Sequence, residues 1–557
     1  MNLKLEKIGS RKRHRGWLAL AAALALSLPA AGQALPNYLA RHFQLPPLRL
    51  SPIAGLSRRV GKHGLELSLR QFLLLVLRND PQIHLDRLQV SSAAAQVLSA
   101  RAPFDPQLSL AFNSQRKLEP QYTQLGGAST LNSLGQSSSI NFTQALPTGQ
   151  NITAGFTSNR YSTNSQFNLF NPSIATGLTL SITEPLLRNR GNLLLKEPLR
   201  QAQGGVLVAS DQSRVQIADL LVSAAEAYWN ASGARQAIQV QQSALALAQR
   251  SYHHDQRALK LGALAPMDIY QSQAQVARTK LALLQAQAAY EESLDSLRRF
   301  IGADLNPKLR NLPITLEDAP EPQPGASPRL PLSQALAAAL GRRPELLAAR
   351  RQLLLDDLSE TAARNRLRPE LDLSGLYGSS GLGGDQIPAS SLLGAGGTLQ
   401  PGGLSDSLGQ LFRFHAPFYG FSLQLNLPFR NSAAAASLAN SYIQHSRDRA
   451  QLRDQQQSVT QSVRQADTEL RMADEEIQAA RVALDLTRKN VDAAHQKYLL
   501  GTTTLFEYLQ QQSQLSDAET ALLQAEIAWQ VAAVRYRRAD WTLLSSLHLH
   551  VSPLLGP

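Results

Sequence analysis

The chain has 557 residues, of which 43% are hydrophobic, 17% charged and 6% aromatic, and it carries a formal net charge of +13. At about 150 residues per domain there is room for three or four ordinary domains, while the composition excludes a disordered polyelectrolyte and argues against a conventional aromatic-rich core. Cysteine is absent, so disulfides, thiolate metal sites and cysteine nucleophiles are excluded.

Much of the charge sits at the N-terminus. Six basic side chains (Lys4, Lys7, Arg11, Lys12, Arg13, Arg15) precede the apolar run Trp17 to Leu28, which is followed by small residues from Pro29 to Ala34. This is the order of a secretory signal peptide, read over residues 1–34 with cleavage after Ala34. The apolar run is shorter than the roughly 20 residues needed to span a bilayer. Without the first 34 residues the net charge is +8, and an exported protein argues against nucleic acid as a partner. A Pro-rich segment, 35–66, comes next.

The remainder is duplicated. Residues 67–110 align without a gap on 330–373, matching Leu67 with Leu330, Gln71 with Gln334, Pro81 with Pro344 and Arg101 with Arg364. A second match places LKLGALAPMDIYQSQ, from Leu259, on YLLGTTTLFEYLQQQ, from Tyr498. Two tandem repeats account for both, 67–302 and 330–547, joined by a Pro-rich linker at 303–329 and followed by a short tail, 548–557.

Each repeat predicts a short helix stopped by its proline, then a helix of roughly 23 residues, then strands over about 105–185 or 369–428. In the strand regions apolar residues alternate with small polar ones: Leu108, Leu110, Phe112; Ile140, Phe142; Ile152, Ala154, Phe156; Leu178, Leu180, Ile182; Leu371, Leu373; Phe421, Leu423, Leu425. That period suits outer-membrane strands and equally a soluble antiparallel sheet; few charges and the export signal favour the membrane. The segment 378–410 reads as Gly-rich loops. Long helical segments follow, 193–260 and 432–500, within helical regions that extend to 302 and 547. At 1.5 Å per residue, about 68 residues make a rod of about 100 Å. Each rod reverses at a Gly turn into a shorter returning helix, giving one continuous rod against two stacked shorter helices. Seams of Ala suit coiled-coil packing and explain the low aromatic content.

The duplicated order of helix, strands, long helix, turn and helix resembles the TolC family of bacterial outer-membrane efflux proteins. So do the tip segments RALKLGALAPMDIYQSQ and KYLLGTTTLFEYLQQQ and the strand exit TEPLLRNRG. The resemblance implies an α+β membrane protein that closes as a homotrimer, with a periplasmic α-barrel below an outer-membrane β-barrel. It implies the exit duct of a tripartite efflux pump or type I secretion system, with a periplasmic adaptor and an inner-membrane pump as partners. One departure is visible. The family's usual barrel takes two strands from each repeat, whereas SINFTQALPTGQNITAGF adds a hairpin to the first. Either six strands enter the barrel or the hairpin is external; the short turn favours six.

The resemblance also implies site residues. The turns Leu261, Gly262, Ala263, Leu264 and Leu500, Gly501 are expected to meet the adaptor. Glu507, six residues past Gly501, matches an acidic position that rings the family's entrance, where threefold symmetry makes one side chain into three. The family's second acidic position is Gln510 here, which implies one ring rather than two. Asp268 resembles the acid that holds the gate, and Tyr498 its tyrosine partner; the familiar Arg is Thr503. Ordinary first-turn acids and a packed tyrosine are the alternative. His253-His254-Asp255 reads as solvated surface, because adjacent helical residues do not share a face. The Arg-rich run 342–368 reads as a solvated helix face. No catalytic set, phosphate loop or cofactor motif is legible, so a non-enzyme without resident metal is expected. A secreted coiled-coil scaffold without a pore and a stand-alone diffusion porin are the competing functions.

Overall fold

The computed structural model describes residues 60–61, 64–122, 128–165, 168–191, 196–261, 265–304, 310–311, 313–322, 327–387 and 400–547. The signal-peptide region 1–34, nearly all of 35–66 and the tail 548–557 lie outside them. The chain opens on strands β1 (Val60–Gly61) and β2 (Gly64–Leu67), then helices α1 (Leu69–Asn79) and α2 (Pro81–Arg101). Four strands follow, β3 (Gln107–Pro120), β4 (Thr130–Ala145), β5 (Asn151–Thr163) and β6 (Phe170–Pro185). The first rod is α3 (Glu197–Lys260), and α4 (Ile269–Phe300) returns from its tip. A short strand, β7 (Ile314–Leu316), marks the linker. The second repeat runs through α5 (Leu332–Arg342), α6 (Pro344–Arg366), β8 (Glu370–Gln386), α7 (Leu404–Phe412) and β9 (Ala416–Asn426). It closes with α8 (Ser432–Leu499), α9 (Leu505–Ala539) and α10 (Leu543–Ser546).

Local chemistry sets the helix starts. Asp80 caps α2 by accepting from the Gln82 amide at 2.7 Å, and Pro81 occupies the first helical position, where its missing N–H costs nothing. Asn431 likewise accepts from the Ala434 amide at the head of α8. The 64 residues of α3 and 68 of α8 make rods of about 96 and 102 Å. Helix α3 packs against α4 and α2, and α8 against α9 and α6, so each rod faces two stacked shorter helices. Helices α6 and α9 also touch α3, which joins the repeats side by side. Their seams are lined with small residues, among them Ala218, Ala224, Ala225 and Ala231 on α3 and Ala466 and Ala473 on α8. Among the described residues no helix is long and apolar enough to cross a membrane.

The six long strands form one antiparallel sheet in the order β3-β4-β5-β6-β8-β9. Register fixes its two faces, because directly paired residues point the same way. Leu110 pairs with Ile140, Ile140 with Phe156, Phe156 with Leu178, and Leu371 with Leu425, so the apolar sets fall on one face. The other face carries small polar residues such as Ser139, Thr157 and Thr179. The β4–β5 turn, Leu146 to Gln150, is tight and closed by two backbone hydrogen bonds. It lies at the same end of the sheet as the connections to the helices.

The reading of 378–410 as loops needs correcting at both its ends, while 388–399 lie outside the described residues. Strand β8 continues to Gln386, and α7 lies across its outer half with Ser407 and Leu411 buried. The Thr176 and Ser407 hydroxyls are 2.7 Å apart. A Cβ at Gly381 would stand 2.0 Å from the Ser407 carbonyl oxygen, so glycine here admits a helix backbone onto the sheet.

Midway along the rods a second sheet, β1-β2-β7, pairs the chain entry with the linker; β2 and β7 run parallel. The main core sits there, with Phe72, Leu73 and Val76 of α1 against Ile217, Leu221 and Tyr228 of α3. The linker's Asp318 accepts from the Leu69 amide at 2.7 Å, capping α1 from 249 residues away, and lies 2.9 Å from the Tyr228 hydroxyl.

Candidate functional site

The two rod tips lie at the end remote from the large sheet. Helix α8 stops at Leu499 because Gly501 takes φ +72°, a left-handed conformation that costs side-chain-bearing residues free energy. The Gly501 amide donates to the Tyr498 carbonyl at 3.0 Å and the Thr502 amide to Lys497 at 2.9 Å, the paired closure of a Schellman turn. The first-repeat tip ends at Leu261, and the expected contact residues Gly262, Ala263 and Leu264 lie outside the described residues. Leu261 is 83% and Leu500 77% exposed, and Met267 and Phe506 beside them are also exposed.

The acids at the tip behave differently from each other. Thr504 caps α9 by accepting from the Glu507 amide at 3.3 Å, and the Thr503 hydroxyl donates to the Glu507 carboxylate at 2.6 Å. The position that carries an Arg in the resemblance thus anchors the exposed glutamate through a hydroxyl. Asp268 precedes α4 and makes no side-chain cap hydrogen bond. It is half-buried, and no hydrogen bond joins it to Glu507 or Tyr498.

Tyr498 instead donates to Asp255, at 2.8 Å. Burial and the Asp255 carboxylate push the Tyr498 hydroxyl well above its usual range, which keeps it a donor. The expectation that His253-His254-Asp255 forms a solvated surface therefore fails at Asp255, which is fully buried. Its second carboxylate oxygen has no protein partner among the described residues. Tyr498 stacks on Tyr508 of α9 at 5.5 Å, and His254 meets Tyr498 edge-on at 5.9 Å. One turn back along α3, Ser251 accepts from Gln512 at 2.9 Å. Ser251, His254, Asp255, Tyr498 and Tyr508, with His495, line a cavity of about 320 Å³ between the two rods and α9. These contacts couple α3 of the first repeat to α8 and α9 of the second. Sequence spacing offered one clue: Asp255 lies seven residues before Gly262 and Tyr498 three before Gly501, both within two turns of a tip.

The Arg-rich run is exposed at Arg342, Arg350, Arg364, Arg366 and Arg368, as a solvated face requires, and departs from that reading at two positions. Arg343 is buried and donates to Ser462 on α8, and Arg351 pairs with the buried Asp211 of α3. Helix α6 is wedged between the rods, so its charges meet partners on both sides. Among the described residues no group of three His, Asp or Glu side chains could hold a metal ion.

Comparison with known proteins follows the duplication. The family described as outer membrane efflux protein matches residues 150–303 and 335–540, one stretch in each repeat. The probable efflux pump outer membrane protein TtgC and the antibiotic efflux pump outer membrane protein ArpC, both of Pseudomonas putida, are each 25% identical over 323 residues. That alignment covers 57% of this chain, which spans 59% of the length of those relatives. Among solved structures, CusC superposes with a TM-score of 0.61 at 16% identity, covering 86% of this chain and 93% of the other. VceC of Vibrio cholerae does so at 0.58 and 14%, covering 85% and 95%. Those identities speak for the fold. With matches in both repeats that take in more than half of its residues, the chain belongs to the outer membrane efflux protein family.

Proposed function

We propose that three copies of this chain close into an exit duct of a tripartite efflux pump or type I secretion system. It would carry substrates from an inner-membrane pump and a periplasmic adaptor across the periplasm and the outer membrane. One observation carries the reading: a sheet with an exposed apolar face and two unpaired edge strands, joined to helical rods of about 100 Å. Phe112, Phe421 and Leu425 on that face are 69%, 84% and 60% exposed, which hydrocarbon accommodates and water does not. Strands β3 and β9 have no outer neighbour among the described residues, and lipid cannot satisfy open edges, so further copies must pair with them. A coiled-coil scaffold has no use for such a face. A diffusion porin has none for the rods.

In this reading the exposed tip residues Leu261 and Leu500 meet the adaptor, and the Tyr498–Asp255 latch holds the tips together at rest. Three Glu507 side chains ring the entrance, favour cations and offer multivalent cations a blocking site. Extraction of the protein from outer membranes and step conductance in planar bilayers test the duct; a soluble, non-conducting protein overturns it. Glu507→Gln should lower cation preference, measured as a reversal-potential shift under a salt gradient, and weaken block by multivalent cations. Unchanged selectivity removes Glu507 from the entrance.

A further inference from the structure

The β4–β5 hairpin lies inside the strand order, hydrogen-bonded to β3 on one side and β6 on the other. Its residues obey the face rule of the whole sheet: Ile140 and Phe156 fall on the apolar face, Ser139 and Thr157 on the polar one. Each chain therefore supplies six strands of continuous wall.

We propose that the barrel closes with eighteen strands, and that its ring is therefore wider than the one four strands per chain would enclose. The inference rests on the three-copy duct reading. With strands about 4.8 Å apart and tilted about 40°, each occupies about 6.3 Å of circumference, so eighteen span about 113 Å and enclose a ring about 36 Å across. At any height between the tips and the sheet each chain contributes two rods and two shorter helices. Twelve helices about 9.5 Å apart span about 114 Å. The two circumferences agree. Four strands per chain at the same tilt would give about 75 Å around and about 24 Å across. The polar face, turned to the lumen, is dominated over β4 to β6 by Ser, Thr, Asn and Gly, with Tyr161 and, on the outer strands, Lys117, Glu119 and Phe418 as larger side chains.

The absence of cysteine makes the test clean. Single cysteines at Ser139, Thr157 and Ile140 are placed in the full-length protein in outer membranes and treated from outside with maleimides on polyethylene glycols of graded size. Ser139→Cys and Thr157→Cys should react, up to reagents about 25 Å across, the ring less its side chains. Ile140→Cys should stay shielded by lipid. A cut-off near 14 Å, or loss of the alternation between Ser139 and Ile140, overturns the inference and makes the hairpin a decoration. A second variant joins Pro120 to Phe170 and deletes the hairpin; its conductance and labelling cut-off at Ser181→Cys should fall, and an unchanged cut-off counts against the proposal. Protein that is not extracted from outer membranes, or that never conducts, refutes the duct itself, an outcome separate from the cut-off.

Discussion

Replacing Tyr498 by Phe tests the latch most directly. The substitution keeps the ring and its stacking on Tyr508 and deletes only the hydroxyl that donates to Asp255 at 2.8 Å. Asp255 is fully buried, its second oxygen is already unpartnered, and the next donor, His254, stands at 3.4 Å. A hydrogen bond to a buried carboxylate contributes about 2 kcal/mol, so the equilibrium for separating the tips should shift about 30-fold toward open. Hydrogen exchange should show it as a matching loss of protection in the last three turns of α8, with distant core amides of α1 unchanged. Single-channel recordings should show a higher open probability. Tyr498→Phe combined with Asp255→Asn should cost less than the sum of the two, because the orphaned charge is removed with its partner. Asp268→Asn should leave both readouts as they are. If Tyr498→Phe exchanges like the parent, or if Asp268→Asn reproduces its effect, the latch is not Tyr498–Asp255.

Other positions give independent checks. Gly501→Ala forces a side chain into φ +72° with no neighbour within 4 Å, so it should cost about 1 kcal/mol through backbone conformation alone, read as faster exchange at the tip. Gly381→Val should dislodge α7, whose Ser407 carbonyl lies 2.0 Å from the new Cβ, and expose Leu411 to proteolysis while the helical rods stay protected. Burial and the facing Asp448 push the Asp356 carboxyl up to about 6. The folded protein then holds that proton more tightly than the unfolded chain, so this group's contribution to stability falls as pH rises from about 4 through 6. Asp356→Asn should stabilise by about 1 kcal/mol at pH 7.5, discounted for solvent screening, and by little at pH 4; equal gains in thermal unfolding at both values contradict the assignment.

The duplication was legible because it is periodic in the chain itself. Helices α1 and α5, α2 and α6, and strands β3 and β8 each begin 263 residues apart, the offset of the sequence alignment. The alternation in the strands named one face of the sheet residue by residue, since side-chain direction follows from strand geometry alone. Three features escaped. Helix α7 hides in a Gly-rich stretch because its glycines serve a neighbouring backbone, not a flexible loop. Asp255 looked like surface because the element that buries it lies more than 200 residues downstream. Strand β7 is three residues long and forms only because β2 waits beside it. In each case the deciding partner is tertiary, and no local window contains it.

The pairing of β2 with β7 has a consequence for how the chain is made. Leu65 and Ile314 stand side by side, yet the whole first repeat is emitted between them. Closing a loop of about 250 residues costs about 5 kcal/mol of chain entropy, and nothing built from the first repeat alone can offset it by this contact. Helix α1 lacks its Asp318 cap, and Tyr228 its carboxylate, until the linker has been made. The midpoint of the rods therefore behaves as a checkpoint in synthesis: a chain truncated before residue 314 should remain a client of chaperones, and one extending past 318 should begin to release them.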